Sequence, residues 1–190
     1  MRPLTEEETQ TLFKKLAEYT GASLKNLIAP LDSSPNADRY VFRLSHGRVY
    51  YVRLSLANLA TSIPRDNLLS LGVCMGKGKF TKTGKFRLHI TSLPILAEHA
   101  RSKIWIRPNG VMPFLYGSNV AKAHVARFPE DTPEHQGIIV CTQDDVPLGF
   151  GITARSTAEA RRLDPTGVVC FRQADCGEYL RDEDTLFASG

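Results

Sequence analysis

Leu12, Phe13, Leu16 and Tyr19 recur at spacings of three and four, while Lys14, Lys15 and Glu18 fall off that face. This period predicts a helix with one apolar side. Thr5-Glu6-Glu7-Glu8 precedes it as a capping box, in which the Thr5 hydroxyl and the Glu8 carboxylate each satisfy a free backbone N–H. Gly21 is the expected stop. The run of glutamates is thus accounted for as helix architecture that complements the dipole, and needs no metal or catalytic role. A short second helix is expected over 23–29 and a loop over 30–35.

The pattern then changes to runs of β-formers. Residues 40–44 and 49–52 flank Ser45-His46-Gly47-Arg48, which predicts a hairpin. A helix over 54–60 follows, then a strand over 67–74, a glycine- and lysine-rich loop, a strand over 86–90 and a helix from Pro94 to Ala100. The second half carries five short strand patterns, at 103–106, 123–128, 137–142, 148–154 and 168–171, with a helical turn over 114–116. Pro108-Asn109-Gly110, Asp144-Asp145 and Asp164-Pro165 are among the turns between them. Short strands at such spacing predict a small β-barrel-like domain. The fold class is therefore α+β, with a mixed α/β domain over 1–98, a small β domain over 99–181 and an acidic, frayed tail over 182–190.

Composition bounds the function. A chain of 190 residues with 42% hydrophobic and 23% charged positions can bury a core, which excludes wholesale disorder. No apolar run approaches the roughly 20 residues of a membrane span, so no membrane association is expected. The acidic N-terminus does not read as a signal peptide. Four cysteines at 74, 141, 170 and 176 lack CxxC spacing, and are expected as reduced, mostly buried thiols rather than disulfides or metal ligands.

Charge is unevenly placed. Residues 1–95 hold 14 Lys/Arg against 7 Asp/Glu, and residues 96–190 hold 10 against 13. No acid lies between Asp66 and Glu98, a stretch that contains Lys77, Lys79, Lys82, Lys85, Arg87 and His89. Such a field suits a polyanion such as nucleic acid, or belongs to a solvated loop with no partner. Phe80 and Phe86 interleave with these cations. An exposed aromatic can stack on an unpaired base, but Phe86 opens an alternating strand and is expected in the core.

Catalytic motifs are absent. Gly72 to Lys79 fails as a phosphate-binding loop, because the glycine spacing is short and no Ser or Thr follows the lysine. The five histidines are scattered, and no GxSxG elbow occurs. Leu163-Asp164-Pro165-Thr166-Gly167 resembles part of the catalytic-Asp motif of one class of pseudouridine synthases, but Arg161 and Arg162 replace its preceding residues. An Asp-Pro turn is the expected role.

Five blocks carry a wider resemblance: MRPLTEEET at the start, GKFTKTGKFRLHIT at 78–91, FLYGSNV at 114–120, DDVPLGFG at 144–151 and GEYLR at 177–181. Together, and in this order, they resemble the Nip-seven family of ribosome-biogenesis factors for the large subunit, which pairs a pre-PUA domain with a C-terminal PUA domain. The resemblance implies a PUA-type pseudo-barrel over 99–181. It also implies binding to precursor rRNA in the nucleolus beside other assembly factors, as a monomer within a pre-ribosomal particle, with no cofactor and no catalysis. By the same resemblance Arg155, Arg161 and Arg162 stand on the basic PUA face, flanking a short helix. The cations Lys77, Lys79, Lys82, Lys85 and Arg87 complete the expected RNA-binding set. Single-stranded or irregular RNA is favoured as the target, since its bases are accessible. A pseudouridine-synthase-like enzyme carrying a PUA domain and a protein–protein adaptor are the alternatives. Two features depart from the family pattern: Gly76-Lys77-Gly78-Lys79 reads as a two-residue insertion, and the loop at 30–38 is long.

Overall fold

A computed structural model describes residues 1–30, 34, 37–64, 67–79 and 85–187, with all their side chains except those of Lys79, Thr185 and Phe187. Helix α1 (Glu6–Thr20) starts at the predicted box. The Glu8 N–H donates to Thr5 Oγ1 at 3.3 Å, and the Thr5 N–H donates to Glu8 Oε2 at 2.9 Å. Glu8 is also buried and accepts from both Arg2 guanidinium nitrogens, which holds its carboxyl below the usual range. The capping residue thus also fastens the N-terminus, where strand β1 (Arg2–Pro3) pairs with β2. Leu12, Leu16 and Tyr19 are fully buried on the apolar face, each worth roughly 1.5–3 kcal/mol or more of burial.

Helix α2 (Leu24–Ile28) leads to the hairpin β2 (Tyr40–Ser45) and β3 (Arg48–Arg53), antiparallel in full register from Tyr40↔Arg53 to Ser45↔Arg48. Its two-residue turn, His46-Gly47, has positive φ at both positions (49° and 72°), as the twist of such hairpins requires. Helix α3 (Leu54–Leu59) follows. The expected strand over 67–74 is corrected here. The Asn67 N–H closes a turn on the Pro64 carbonyl, Gly72 sits at φ +78°, and strand β4 runs later, over Val73–Lys79. Leucines at 68, 69 and 71 mimic a strand in composition, but only Leu68 is buried and none of the three pairs with β3. β4 pairs with β5 (Lys85–Leu88), so Lys77, Lys79 and Lys85 stand on strands and not in a loop, with Arg87 on a strand as expected. Lys82 and Phe80 lie outside the described residues. The first sheet reads β1-β2-β3-β4-β5.

Helix α4 (Leu93–Glu98) connects to β6 (Lys103–Ile106). The chain then departs again from expectation. Pro108-Asn109-Gly110 does not turn the chain but opens helix α5 (Pro108–Leu115). Proline at the first helical position has no N–H to leave unsatisfied there. Strands β7 (Val120–Ala121), β8 (Val125–Arg127), β9 (Gly137–Cys141), β10 (Pro147–Thr153) and β11 (Val168–Asp175) complete a six-stranded sheet ordered β7-β11-β10-β9-β6-β8, with only the β6–β9 pair parallel. A one-turn helix α6 (Thr157–Ala160) lies between β10 and β11.

Residues 182–187 are ordered where fraying was expected, and 188–190 lie outside the described residues. Helices α7 (Glu178–Arg181) and α8 (Glu183–Phe187) fold back, Leu186 is 5% exposed, and its carbonyl accepts from Arg48 of β3. The acidic composition of 182–184 hides a single apolar anchor. Asp175, fully buried, holds this corner: it accepts from Arg172, from Arg181 and from the Gly177 N–H, while Arg172 also reaches Glu178 at 2.8 Å.

The two sheets share a core. Tyr19 and Leu16 of α1 pack in one cluster with Ile139, Cys141, Phe150 and Ala174 of the second sheet. Gly137 makes this contact possible, since a Cβ there would lie 2.7 Å from the Glu18 carbonyl oxygen and 2.8 Å from the Tyr19 ring. The four cysteines are free thiols, two of them buried. Burial raises all four pKa values, that of Cys141 to about 11 and that of Cys170 to about 12, so they are poor nucleophiles at neutral pH.

Candidate nucleic-acid interface

The β4–β5 register sets Lys77 opposite Arg87 and Lys79 opposite Lys85, with Phe86 and Leu88 alternating inward. The expectation that Phe86 anchors the core holds: it is 7% exposed. β5 is an edge strand, and α1 lies beside it. Between them opens a groove of about 630 Å³. Lys14 and Lys15 of α1 line it, with Lys77 of β4, Lys85 and Arg87 of β5, and Phe150 and Gln173 of the second sheet. The one acid among the described residues of its wall, Glu18, is paired with Lys15 at 2.6 Å. Five cations from three separate stretches of chain therefore face one cavity, and a concave low-dielectric wall strengthens such a field.

Lys14 and Lys15 were not among the residues the sequence singled out. A signal existed: Thr11, Lys14, Lys15 and Glu18 share one helical stripe by their spacing of three, four and seven. What the sequence could not give was the packing of that stripe against β5.

His89 closes the groove. Its Nδ1 is buried with no hydrogen-bond partner among the described residues. Burial, reinforced by the charges of Arg48, Arg87 and Lys77, pushes its pKa down to about 4. The ring is neutral at physiological pH and adds polarity without charge.

The second cluster flanks a short helix, as expected. Arg155, Arg161 and Arg162 are all exposed. Helix α6 covers only residues 157–160, so Arg155 precedes its cap, Ser156, and the two later arginines follow its end. One turn of helix is too short to place Arg155 and Arg162 on a common face. The Arg161 guanidinium lies 6.0 Å from the Phe128 ring centroid. None of the three lines the groove.

Asp164 occupies an exposed turn, in which its carbonyl accepts from the Gly167 N–H at 2.9 Å. Among the described residues no cluster of His, Cys, Asp and Glu has the form of a metal site, and no helix is long and apolar enough to cross a membrane.

Comparison with known proteins agrees along almost the whole chain. Residues 1–90 match the NIP7/UPF0113 pre-PUA domain, and residues 102–184 match the UPF0113 PUA domain. The chain is 60% identical over 187 residues to the 60S ribosome subunit biogenesis protein NIP7 of Saccharomyces cerevisiae, covering 98% of this chain and 99% of that protein. It is 59% identical over 187 residues to the corresponding protein of Schizosaccharomyces pombe, covering 98% and 100%. With the Xenopus tropicalis homologue it shares 50% identity over 186 residues, covering 98% and 99%. Among solved structures, a hypothetical protein of Pyrococcus horikoshii superposes with a TM-score of 0.58 at 13% identity, over 98% of this chain and 99% of that one. A PUA-domain protein of Aeropyrum pernix gives 0.55 at 12%, over 94% and 87%. At such identities the structural likeness speaks for the fold alone.

Proposed function

The chain belongs to the NIP7/UPF0113 family, and on that premise we propose that it is a non-catalytic RNA-binding assembly factor of the large ribosomal subunit, acting on precursor rRNA in the nucleolus. Its relatives are named as 60S biogenesis proteins, not as enzymes. The observation that carries RNA binding is the groove. Lys14, Lys15, Lys77, Lys85 and Arg87 converge on it, with Glu18 as the sole acid among the described residues of its wall. Phosphates are the ligand that such a field favours. Lys79 of β4 and, from the sequence, Lys82 join the set, and Arg155, Arg161 and Arg162 form a second cationic surface whose guanidinium planes can hold phosphate bidentately or stack on a base. Other assembly factors of the same particle are its protein neighbours in this reading, and the chain works there as a monomer.

Salt titration tests it. Replacing Lys79, Lys82 and Lys85 by glutamine should weaken binding to single-stranded RNA. It should also flatten the dependence of log affinity on log salt by roughly 0.7 per lost contact. An unchanged slope in a folded variant would remove this segment from the interface.

A further inference from the structure

Trp105 is the only tryptophan of the chain, and it stands outside the groove. On β6, Ile104 and Ile106 are buried in the core of the second sheet, so Trp105 takes the opposite face, with Lys103 before it and Arg107 after it. Its ring packs partly against the cluster that joins the two sheets. Asp145 fixes the ring: its carboxylate accepts from the indole N–H at 3.0 Å and from Lys103 at 3.1 Å. Arg127 of β8 lies directly opposite Trp105, beside a shift of register. Such a bulge re-aims a side chain.

The Arg127 guanidinium carbon is 3.4 Å from the Trp105 ring centroid. Only a flat stack allows this separation, because an edge-on approach would push a nitrogen inside van der Waals contact. The indole face is thereby occupied, and it serves to hold a planar cation in place. Arg127 is exposed and stands on an edge strand. Its guanidinium makes no hydrogen bond or ion pair among the described residues, and neither does that of Arg107, which is also exposed. Lys103, by contrast, is spent on Asp145. Two forks thus keep their donors free, and one of them is immobilised in advance. Trp105, which carries Arg127, and Arg107 are two residues apart on one strand face, a rise of about 6.6 Å. A polymer with a negative charge on every unit meets both forks with any of its segments. An acidic peptide needs carboxylates at matched positions to do the same.

We infer that Arg127, stacked on Trp105, is a preset clamp for an RNA phosphate, with Arg107 taking a neighbouring phosphate. This rests on the RNA-binding reading above and adds a separate contact to it. The groove touches β10 and β11, whereas Arg127 stands on β8, with β9 and β6 between them. A fork already held in one plane loses little freedom when it takes phosphate bidentately. Trp105 and Asp145 are positioning residues here, and Arg127 makes the contact.

The lone tryptophan makes the test direct, because its fluorescence reports on the ring beneath the clamp. The full chain is titrated with a nine-nucleotide single-stranded RNA of mixed sequence. Anisotropy of an end-labelled probe follows binding, and tryptophan emission with the unlabelled probe follows the clamp. Emission should change in step with binding. Arg127→Gln should weaken binding about tenfold and lower the log–log salt slope by roughly 0.7. Arg127→Lys should keep the slope and recover only part of the affinity, since it retains the charge without the fork. Urea denaturation checks that both variants fold. Unchanged emission at saturating RNA, or a folded Arg127→Gln variant that binds as the unmodified protein does, overturns the clamp and leaves the groove reading intact. A nonapeptide of glutamate that shifts the emission at lower concentration than the RNA, at equal ionic strength, assigns the site to an acidic protein and also overturns it. Failure of the RNA to bind at all overturns the RNA reading itself.

Discussion

Tyr19 and Phe150 meet edge to face, with ring centroids 5.4 Å apart and planes at 79°. One ring belongs to the first helix of the chain and the other to the middle of the second sheet, so this contact joins the two halves. An aromatic pair of this geometry contributes about 0.5–1.5 kcal/mol beyond the area it buries. The Tyr19 hydroxyl, by contrast, is buried with no partner among the described residues, and desolvation raises its pKa.

Tyr19→Phe should therefore keep the ring contact and remove an unsatisfied polar atom. Stability should rise by up to about 1 kcal/mol. Tyr19→Ala should lower it by about 3–5 kcal/mol, since the cavity opens in the shared core. Urea denaturation of both variants checks the pair of opposite signs.

Asp175 is fully buried against Arg172 and Arg181. Removing the carboxylate takes away the acceptor that two partly exposed guanidinium groups and the Gly177 N–H share. Asp175→Ala should cost about 1–3 kcal/mol. Loss of protease resistance over residues 172–187 would locate the damage at this corner. An unchanged urea midpoint would mean that the arginines find other partners.

His89 gives a pH dependence. Its folded pKa of about 4 lies below the ordinary 6.5, so between these values the unfolded chain binds the proton and the folded chain does not. Stability should fall as pH drops from about 6.5 toward about 4. Glu8, Asp38 and Asp145, whose pKa values are lowered by partners, lose stability at the acid end of that range and below it. Denaturation midpoints between pH 7 and pH 5 therefore report chiefly on His89, and His89→Leu should flatten the curve there.

The arginine surface is tested by charge and by shape. Arg155, Arg161 and Arg162 are exposed, so changing all three to glutamate should leave the fold intact and abolish most RNA affinity. Changing them to lysine keeps charge and loses the planar fork, which should lower affinity less, but measurably. If the glutamate variant binds RNA as the unmodified protein does, the groove carries the binding alone.

Local signals made much of this fold legible. The capping box at Thr5–Glu8, the 3–4 spacing through Tyr19 and the His46-Gly47 turn each act over a few residues, and each appears as read. The misreadings share another character. The leucines at 68–71 look like a strand until β3 sets where pairing begins. Pro108-Asn109-Gly110 looks like a turn until Arg107 enters α5 extended, with its N–H donating to the His124 carbonyl at 2.7 Å. Leu186 looks like part of a tail until Arg48, 138 positions earlier, supplies its donor. The cations of β4–β5 were visible as a charge pattern, but Lys14 and Lys15 join them only through tertiary packing.

The contact between Leu186 and Arg48 also bears on how the chain is made. Domains ordinarily fold in order of emergence from the ribosome. Here the first sheet is complete in sequence at Leu88, yet Leu186 in its core cluster is synthesised nearly a hundred residues later. The earliest unit to appear is thus closed by the last helix, and a transcript cut short before residue 183 would yield a first sheet left open beside Arg48.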